Sequence, residues 1–274
     1  MAELNPAAVP LSLYIHMPWC VRKCPYCDFN SHAVPDGQLS LELEQEYLRA
    51  LVEDFKTQVD FAQGRQIHSV FIGGGTPSLI SALGYQWLFD QLKAVIPFAE
   101  GCEITLEANP GTVEHDPFAG YLQAGINRLS IGVQSFNTEH LKRLGRIHSN
   151  EDAISAIGLA REAGFQRINV DLMHGLPEQT LEQALHDLKL AVEQGATHIS
   201  WYQLTIEPNT VFFRTQPILP VDEVLEDIQE QGELYLKAQG FINYEVSAWR
   251  KELPSAHNLN YWQFGDYLAI GAGA

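Results

Sequence analysis

The stretch Tyr14-Ile-His-Met-Pro-Trp-Cys-Val-Arg-Lys-Cys-Pro-Tyr-Cys-Asp-Phe29 places three cysteines on one short loop, directly after an apolar segment with the pattern of a strand. The cysteines are Cys20, Cys24 and Cys27, in a C-x3-C-x2-C spacing. Thiolates are soft ligands that suit iron-sulfur clusters, and three of them can hold three irons of a four-iron cube. The fourth iron then stays open to another ligand. The spacing therefore predicts a cluster loop at the end of a strand.

A zinc site is the alternative interpretation of the same cysteines. Tetrahedral zinc needs a fourth ligand, and His16 or His32 could complete a set of three cysteines and one histidine. The remaining cysteine, Cys102, lies far along the chain, and we expect it to be a small buried hydrophobic side chain. The loop favours the iron-sulfur cluster and leaves zinc as the second possibility.

Length and composition limit the class of protein. The 274 residues, 46% of them hydrophobic, suffice for one large α/β domain or two small ones. No apolar run reaches the roughly 18 to 20 residues of a membrane span, and the N-terminus lacks a signal-peptide pattern. The formal charge of −17, from 34 acidic and 17 basic residues, argues against a nucleic-acid partner. We expect a cytoplasmic protein, with peripheral membrane contact and oligomeric state left open.

Short β-rich runs alternate with longer helical patterns from residue 11 to about residue 206, which predicts repeated βα units and a parallel sheet. The expected strands are residues 11–16, 69–72, 103–107, 128–133, 168–171 and 199–204. The clearest expected helices are residues 41–61, 85–95, 117–124, 152–163 and 181–193. Six such units predict an α/β fold, a partial (β/α)6 barrel, over residues 1–206.

The pattern changes after Pro208. A polar stretch with prolines precedes an acidic helix that ends near Gln239, and a strand-like run follows at residues 244–249. We expect residues 207–274 to form a separate C-terminal appendage. The chain stops directly after the apolar run at residues 267–270, and this abrupt end predicts a truncated protein.

Several ligand-binding side chains follow the predicted strands. The carboxyl ends of parallel strands meet at one edge of a sheet, where ligands commonly bind. Glu107, Gln134 and Asp171 end the third, fourth and fifth strands, and we expect them to point into one site. The run Gly73-Gly-Gly-Thr-Pro-Ser78 follows the second strand, and its glycines let backbone groups approach a ligand. A tight structural turn is the other interpretation of these glycines.

Three further residues lie close to this site in the sequence. Arg146 follows a short helix after Gln134, and its planar guanidinium could pair with a ligand carboxylate, or form a surface salt bridge. Tyr14 and Tyr26 flank the cysteine loop and could cover a cluster or contact its ligand. Packing in the core is the alternative for both tyrosines.

Together, five stretches of the chain resemble the HemW-type haem chaperones of the radical S-adenosylmethionine (SAM) superfamily. They are the cysteine loop, Gly73–Ser78, Gly132-Val-Gln-Ser-Phe-Asn137, Asp171-Leu-Met-His-Gly-Leu-Pro177 and His257-Asn-Leu-Asn-Tyr-Trp262. The resemblance implies a 4Fe-4S cluster on Cys20, Cys24 and Cys27. It implies SAM at Tyr14, Tyr26, Gly74, Gly75, Thr76, Glu107, Gln134, Arg146 and Asp171, and haem at His257, Tyr261 and Trp262.

The implied function is that of a haem chaperone, which passes haem to acceptor proteins. The resemblance implies a further C-terminal helical domain, and we expect this chain to be a truncated member without it. The related coproporphyrinogen oxidases carry an additional cysteine two residues after the third cluster ligand, where this chain has Phe29. This difference points away from those enzymes. A radical SAM oxidoreductase acting on a porphyrinogen remains the first alternative, and a zinc-stabilised binding protein without a redox role is the second.

Overall fold

The structure, a computed structural model, describes residues 5–111 and 117–274. The strands are β1 (Leu11–Met17), β2 (Trp19–Cys20), β3 (His32–Ala33), β4 (Ile67–Gly74), β5 (Phe98–Ala108), β6 (Arg128–Gln134), β7 (Ile168–His174), β8 (His198–Gln203), β9 (Ile242–Asn243), β10 (Ala248–Arg250) and β11 (Asp266–Ile270). The helices are α1 (Leu41–Lys56), α2 (Val59–Ala62), α3 (Ala82–Val95), α4 (Phe118–Gln123), α5 (Thr138–Arg143), α6 (Asn150–Glu162), α7 (Leu181–Glu193), α8 (Val211–Thr215), α9 (Asp222–Ala238) and α10 (Ala256–Trp262).

Nine of these strands form one sheet in the order β11-β1-β4-β5-β6-β7-β8-β10-β9. The first seven strands in that order are parallel. Strand β10 then pairs antiparallel with β8, and β9 pairs antiparallel with β10. The remaining pair, β2 and β3, joins the two ends of the cysteine loop through Trp19–His32 and Cys20–Ala33. The six expected strands are thus confirmed, and they are consecutive neighbours in the sheet.

Alternate residues of the parallel strands lie on two different faces. In β7, Ile168, Val170 and Leu172 are fully buried in the hydrophobic core, whereas Asn169 and Asp171 bond to polar groups of neighbouring strands. This alternation follows from the two-residue period of a strand. The apolar face packs in the core shared with the helices, and the polar face carries the hydrogen-bonding side chains that the site uses.

Local capping fixes where the helices around the sheet begin. Ser149 starts α6 and Thr180 starts α7, each with a reciprocal capping box that satisfies two backbone amides. The predicted helix over 41–61 is wrong in one respect, because α1 ends at Lys56 and the short α2 follows. The hydroxyl of Thr57 donates to the carbonyl of Asp54 at 2.7 Å and helps to end α1.

Residues after 206 join the main sheet at both edges. The strand β11 pairs with β1, and β10 pairs with β8. The single strand predicted over residues 244–249 is wrong, because a turn separates β9 from β10, and Asn243 closes it by donating to the carbonyls of Glu245 and Ala248. The predicted acidic helix is confirmed as α9. The boundary at residue 206 stays a prediction, and residues 1–4 and 112–116 of its first part lie outside the described residues.

A buried carboxylate anchors α10 to the sheet. Glu103, on β5, is 4% exposed and accepts hydrogen bonds from the backbone amides of Ala256 (3.0 Å) and His257 (3.3 Å). Arg167 pairs with the same carboxylate at 2.5 Å and donates to the carbonyl of Pro254 at 2.7 Å. The first turn of α10 is therefore held in place by a charged side chain from the middle of the sheet.

Candidate functional site

The three loop cysteines face one cavity of about 450 Å³ at the carboxyl ends of the parallel strands, named here the cysteine cavity. The loop keeps its shape through backbone bonds: the amide of Cys27 donates to the carbonyl of Cys24, and that of Val34 to the carbonyl of Cys20. Burial raises the pKa of the Cys20 and Cys27 thiols. Three soft sulfur donors around one cavity form a set that a cluster with three thiolate ligands would use.

The histidines that could complete a zinc site are engaged elsewhere. The ring nitrogens of His16 bond to the hydroxyl of Tyr14 (3.0 Å) and the carbonyl of Asn30 (2.9 Å). His32 bonds to the side chain of Asn30 at 3.0 Å. Within the part of the chain that the structure describes, no group of three or more His, Cys, Asp or Glu side chains is arranged to hold a single metal ion. The remaining cysteine, Cys102, is confirmed as a buried core residue.

The glycine run after β4 lies directly against the start of the cysteine loop. The amide of Gly75 donates to the carbonyl of Met17 and the amide of Thr76 to that of Trp19, both at 2.6 Å. A β-carbon on Gly75 would lie 2.3 Å from the Trp19 carbonyl oxygen. Gly74 has a φ of 107°, and a β-carbon there would lie 2.6 Å from the ring of His16. The glycines are needed for this close approach as well as for lining the cavity.

Two carboxyl groups, Glu107 and Asp171, line the cysteine cavity. Burial raises the pKa of Glu107 to about 8, with a further contribution from the charge of Asp171 and an opposing bond from the amide of Gly74. Burial also raises the pKa of Asp171, although it accepts bonds from Ser130 (2.9 Å) and Asn169 (2.7 Å). Such a pair attracts a cationic ligand or one rich in hydroxyl donors, which would favour the ionised carboxylates.

Arg146 places a buried positive charge beside the cysteine loop. Its guanidinium donates to the sulfur of Cys24 at 3.6 Å, to the side-chain oxygen of Asn109 at 2.5 Å and to the carbonyl of Gly132 at 2.6 Å. Burial acts to lower the pKa of Arg146, but Tyr26 and Cys24 outweigh it and raise the pKa. The group therefore stays charged and can stabilise a thiolate or a ligand carboxylate.

Sequence reasoning missed several residues that line the cavity, among them Asn109 and Tyr202. Asn109 donates to the hydroxyl of Thr76 at 2.9 Å, so it joins the glycine run to Arg146. Tyr202, at the end of β8, donates to the side-chain oxygen of Gln134 at 2.7 Å. The two-residue alternation of β8, in which Trp201 enters the core, is the signal that could have placed Tyr202 in the site.

The cavity brings together most of the residues singled out from the sequence. They are Cys20, Cys24, Cys27, Tyr26, Gly74, Gly75, Thr76, Glu107, Gln134, Arg146 and Asp171. Tyr14 does not line the cavity. Its hydroxyl bonds to His16, and its ring centroid lies 6.4 Å from that of Phe71 and 6.5 Å from that of His257. Its contact with a ligand stays a prediction.

The segment from His257 to Trp262 lies apart from the cysteine cavity, in α10. His257 is 4% exposed, with its ring stacked on Phe71 at 4.8 Å and edge-on to Tyr261 at 4.9 Å. Burial lowers the pKa of His257 to about 4, and its Nδ1 atom has no hydrogen-bond partner. Tyr261 and Trp262 are about half exposed. The buried imidazole of His257 therefore contacts Tyr261, which is partly exposed at the surface together with Trp262.

These features, a mostly parallel α/β sheet with a three-cysteine loop at its carboxyl edge, define a radical SAM protein. The Radical SAM superfamily profile matches residues 14–191. The chain is 56% identical to the haem chaperone HemW of Escherichia coli over 97% of its own length and 69% of that protein, and 56% identical to HemW of Haemophilus influenzae over 98% and 70%. The chain belongs to the HemW family of the radical SAM superfamily.

The fold agrees with this assignment. A solved structure of coproporphyrinogen III oxidase (HemN) from Escherichia coli, described as a radical SAM enzyme, superposes with a TM-score of 0.82 at 27% identity. The match covers 98% of this chain and 64% of that one. Along the described ranges 5–111 and 117–274, the structure contains no helix with the length and apolar character required to cross a bilayer.

Proposed function

We propose that this protein is a haem chaperone, which binds haem and passes it to acceptor proteins, and that it carries a 4Fe-4S cluster coordinated by SAM. The observation that carries the proposal is the 56% identity to HemW over nearly the whole chain. The expected partners are haem and haem-acceptor proteins, and the expected compartment is the cytoplasm.

In this proposal Cys20, Cys24 and Cys27 hold the cluster, and the cysteine cavity holds SAM. When bound and reduced, a cluster of this kind supplies an electron for the cleavage of SAM. The glycine run keeps the backbone close to the ligand, and the carboxyl groups of Glu107 and Asp171 accept its hydrogen-bond donors. Arg146 holds a positive charge next to Cys24 and balances thiolate charge. The proposed SAM-contacting residues that line the cavity are Tyr26, Gly74, Gly75, Thr76, Glu107, Gln134, Arg146 and Asp171. Tyr14, which does not line it, stays a predicted contact.

Haem is assigned to His257, Tyr261 and Trp262. The imidazole would act as an iron ligand, and the two half-exposed aromatic rings would pack on the macrocycle. Because His257 is 4% exposed, α10 must move for its imidazole to reach an iron. The unpartnered Nδ1 atom supports the role, because a ring nitrogen is left available to bind a metal.

A haem titration of anaerobically reconstituted protein tests this assignment. We expect His257→Ala to bind haem more weakly and to keep the iron and sulfide content of the wild type. His174→Ala is the matched control, because His174 is 1% exposed, packs its ring on Trp201 at 4.3 Å and also has an unpartnered Nδ1. Wild-type haem affinity in His257→Ala would remove His257 from the site.

The second candidate is a radical SAM oxidoreductase that acts on a porphyrinogen. The likeness of the whole fold to coproporphyrinogen III oxidase favours it, and Phe29, at the position of the extra cysteine, argues against it. Anaerobic conversion of coproporphyrinogen III to protoporphyrinogen IX by cluster-loaded protein would overturn the chaperone proposal. Zinc in place of iron and sulfide, after oxygen-free preparation, would exclude both candidates.

A further inference from the structure

Strand β6 ends in a strained turn at the cysteine cavity. The amide of Ser135 donates to the carbonyl of Val133 at 2.9 Å, and Gln134 between them has a φ of 68°. A three-residue turn with a left-handed, non-glycine residue at its centre is rare and costly. Backbone of this kind persists only where the surrounding structure holds it in place. Gln134 therefore reaches the cavity from a position that needs outside support.

Asp187, on α7, supplies that support from behind the sheet. Its side chain is 1% exposed, and its two oxygens accept from the hydroxyl of Ser135 at 2.7 Å and from the amide of Phe136 at 2.8 Å. These donors belong to the two residues that follow Gln134. Ser135 also accepts from the amide of Asn137 at 3.0 Å, so the whole exit of the turn is tied to one carboxylate.

Burying the carboxyl group of Asp187 costs free energy, so we expect its hydrogen bonds to serve a purpose. A carboxyl removed from water is destabilising unless its bonds compensate. Burial raises the pKa of Asp187 to about 7, and the bonds from Ser135 and Phe136 only partly oppose this shift. Its hydrogen bonds go to the segment that carries Gln134.

We propose that Asp187 is a positioning residue for ligand binding in the cysteine cavity, because it holds the strained turn that presents Gln134. This inference rests on the proposed function in one respect, namely that the cavity binds SAM. Asp187 does not touch the ligand in this account. Asp187 affects ligand affinity only by positioning Gln134. A general contribution to stability would not depend on the side chain of Gln134.

A double-mutant cycle on the full chain, reconstituted with its cluster and kept free of reductant, tests the inference by SAM titration. Loss of a buried carboxyl group that accepts two hydrogen bonds predicts about tenfold weaker binding for Asp187→Asn. If Asp187 acts through Gln134, adding Asp187→Asn to Gln134→Ala will weaken binding no further than Gln134→Ala alone. Ser135→Ala provides a second route to the same turn if Asp187→Asn folds poorly.

Glu44→Gln is the matched control. Glu44 is 3% exposed and accepts from the amide (3.0 Å) and hydroxyl (2.5 Å) of Ser81, so it makes the same kind of bonds away from the cysteine cavity. We expect this variant to keep wild-type SAM affinity. Hydrogen exchange on cluster-free protein gives a readout independent of the cofactor: the amide of Phe136 should exchange faster in Asp187→Asn and unchanged in Glu44→Gln.

Three results would overturn the inference. The first is wild-type SAM affinity in both Asp187→Asn and Ser135→Ala. The second is an equal loss from Asp187→Asn in the wild-type and Gln134→Ala backgrounds, because it would mean that the carboxylate contributes only to stability. The third, no SAM binding by cluster-loaded wild-type protein, would overturn the proposed SAM site as well, and so is distinct from the first two.

Discussion

Replacing Gly75 by alanine should separate the glycine run from the cysteine loop. The new methyl group would lie 2.3 Å from the carbonyl oxygen of Trp19 and 2.8 Å from that of Met17, whereas ordinary contacts begin at 3.4 Å. Both carbonyls belong to the backbone, so a side-chain rotation cannot relieve the overlap. The segment that leads into Cys20 must move by about 1 Å.

The cost of this movement follows from the contacts it disturbs. Overpacking of this kind destabilises by about 1 to 3 kcal/mol. The same carbonyls accept from the amides of Gly75 and Thr76 at 2.6 Å, and weakening these two bonds adds roughly 0.5 to 1.5 kcal/mol each. We expect Gly75→Ala to lose about 2 to 6 kcal/mol of unfolding free energy and to assemble its cluster poorly.

Urea denaturation of cluster-free protein measures the first effect, and iron and sulfide per chain after anaerobic reconstitution measure the second. Gly158→Ala is the control, because Gly158 lies inside α6 and a β-carbon there meets nothing within 4 Å. Alanine at this helical position should stabilise by about 0.5 to 1 kcal/mol. Wild-type stability and cluster content in Gly75→Ala would refute the packing argument.

Two carboxyl groups should show opposite responses to pH. The pKa of Glu107 is raised from 4.5 to about 8. Its contribution to the free energy of unfolding is therefore fully present below about pH 4.5 and is lost as the pH rises through 8. The stability of Glu107→Gln relative to wild type should accordingly increase between about pH 5 and pH 9. Burial acts to raise the pKa of Glu103, but Arg128, Arg167 and two amides of α10 hold it below 4.5, so its contribution is present above that value and is lost as the pH falls. Glu103→Gln should cost about 3 kcal/mol at pH 7 and less in acid. Urea unfolding of both variants and wild type across this pH range measures the two pH dependences. A difference in stability from wild type that does not change with pH would contradict the prediction for that variant.

Much of the fold could be predicted from the periodicity of the sequence, and the errors came at turns where individual side chains bond to nearby backbone. The six parallel strands follow from apolar runs with a two-residue period. The same pattern places Glu107, Gln134 and Asp171 around one cavity, although β7 continues three residues beyond Asp171, to His174. Side-chain bonds from Thr57 and Asn243 accompany the split of the helix after Lys56 and the turn between β9 and β10, and periodicity does not encode such bonds.

The sequence by itself determined the chemistry of the cysteine loop, the glycine run and the order of the βα units, because these depend on residue type and on spacing along the chain. Only the tertiary structure decided that Tyr14 turns towards His257, that Tyr202 completes the cavity and that His257 lies buried in α10. These positions depend on which of many possible long-range contacts bury the most apolar surface and satisfy groups such as Glu103. A local pattern restricts the face on which a residue lies, but the partner across that face is selected by the packing of the whole chain.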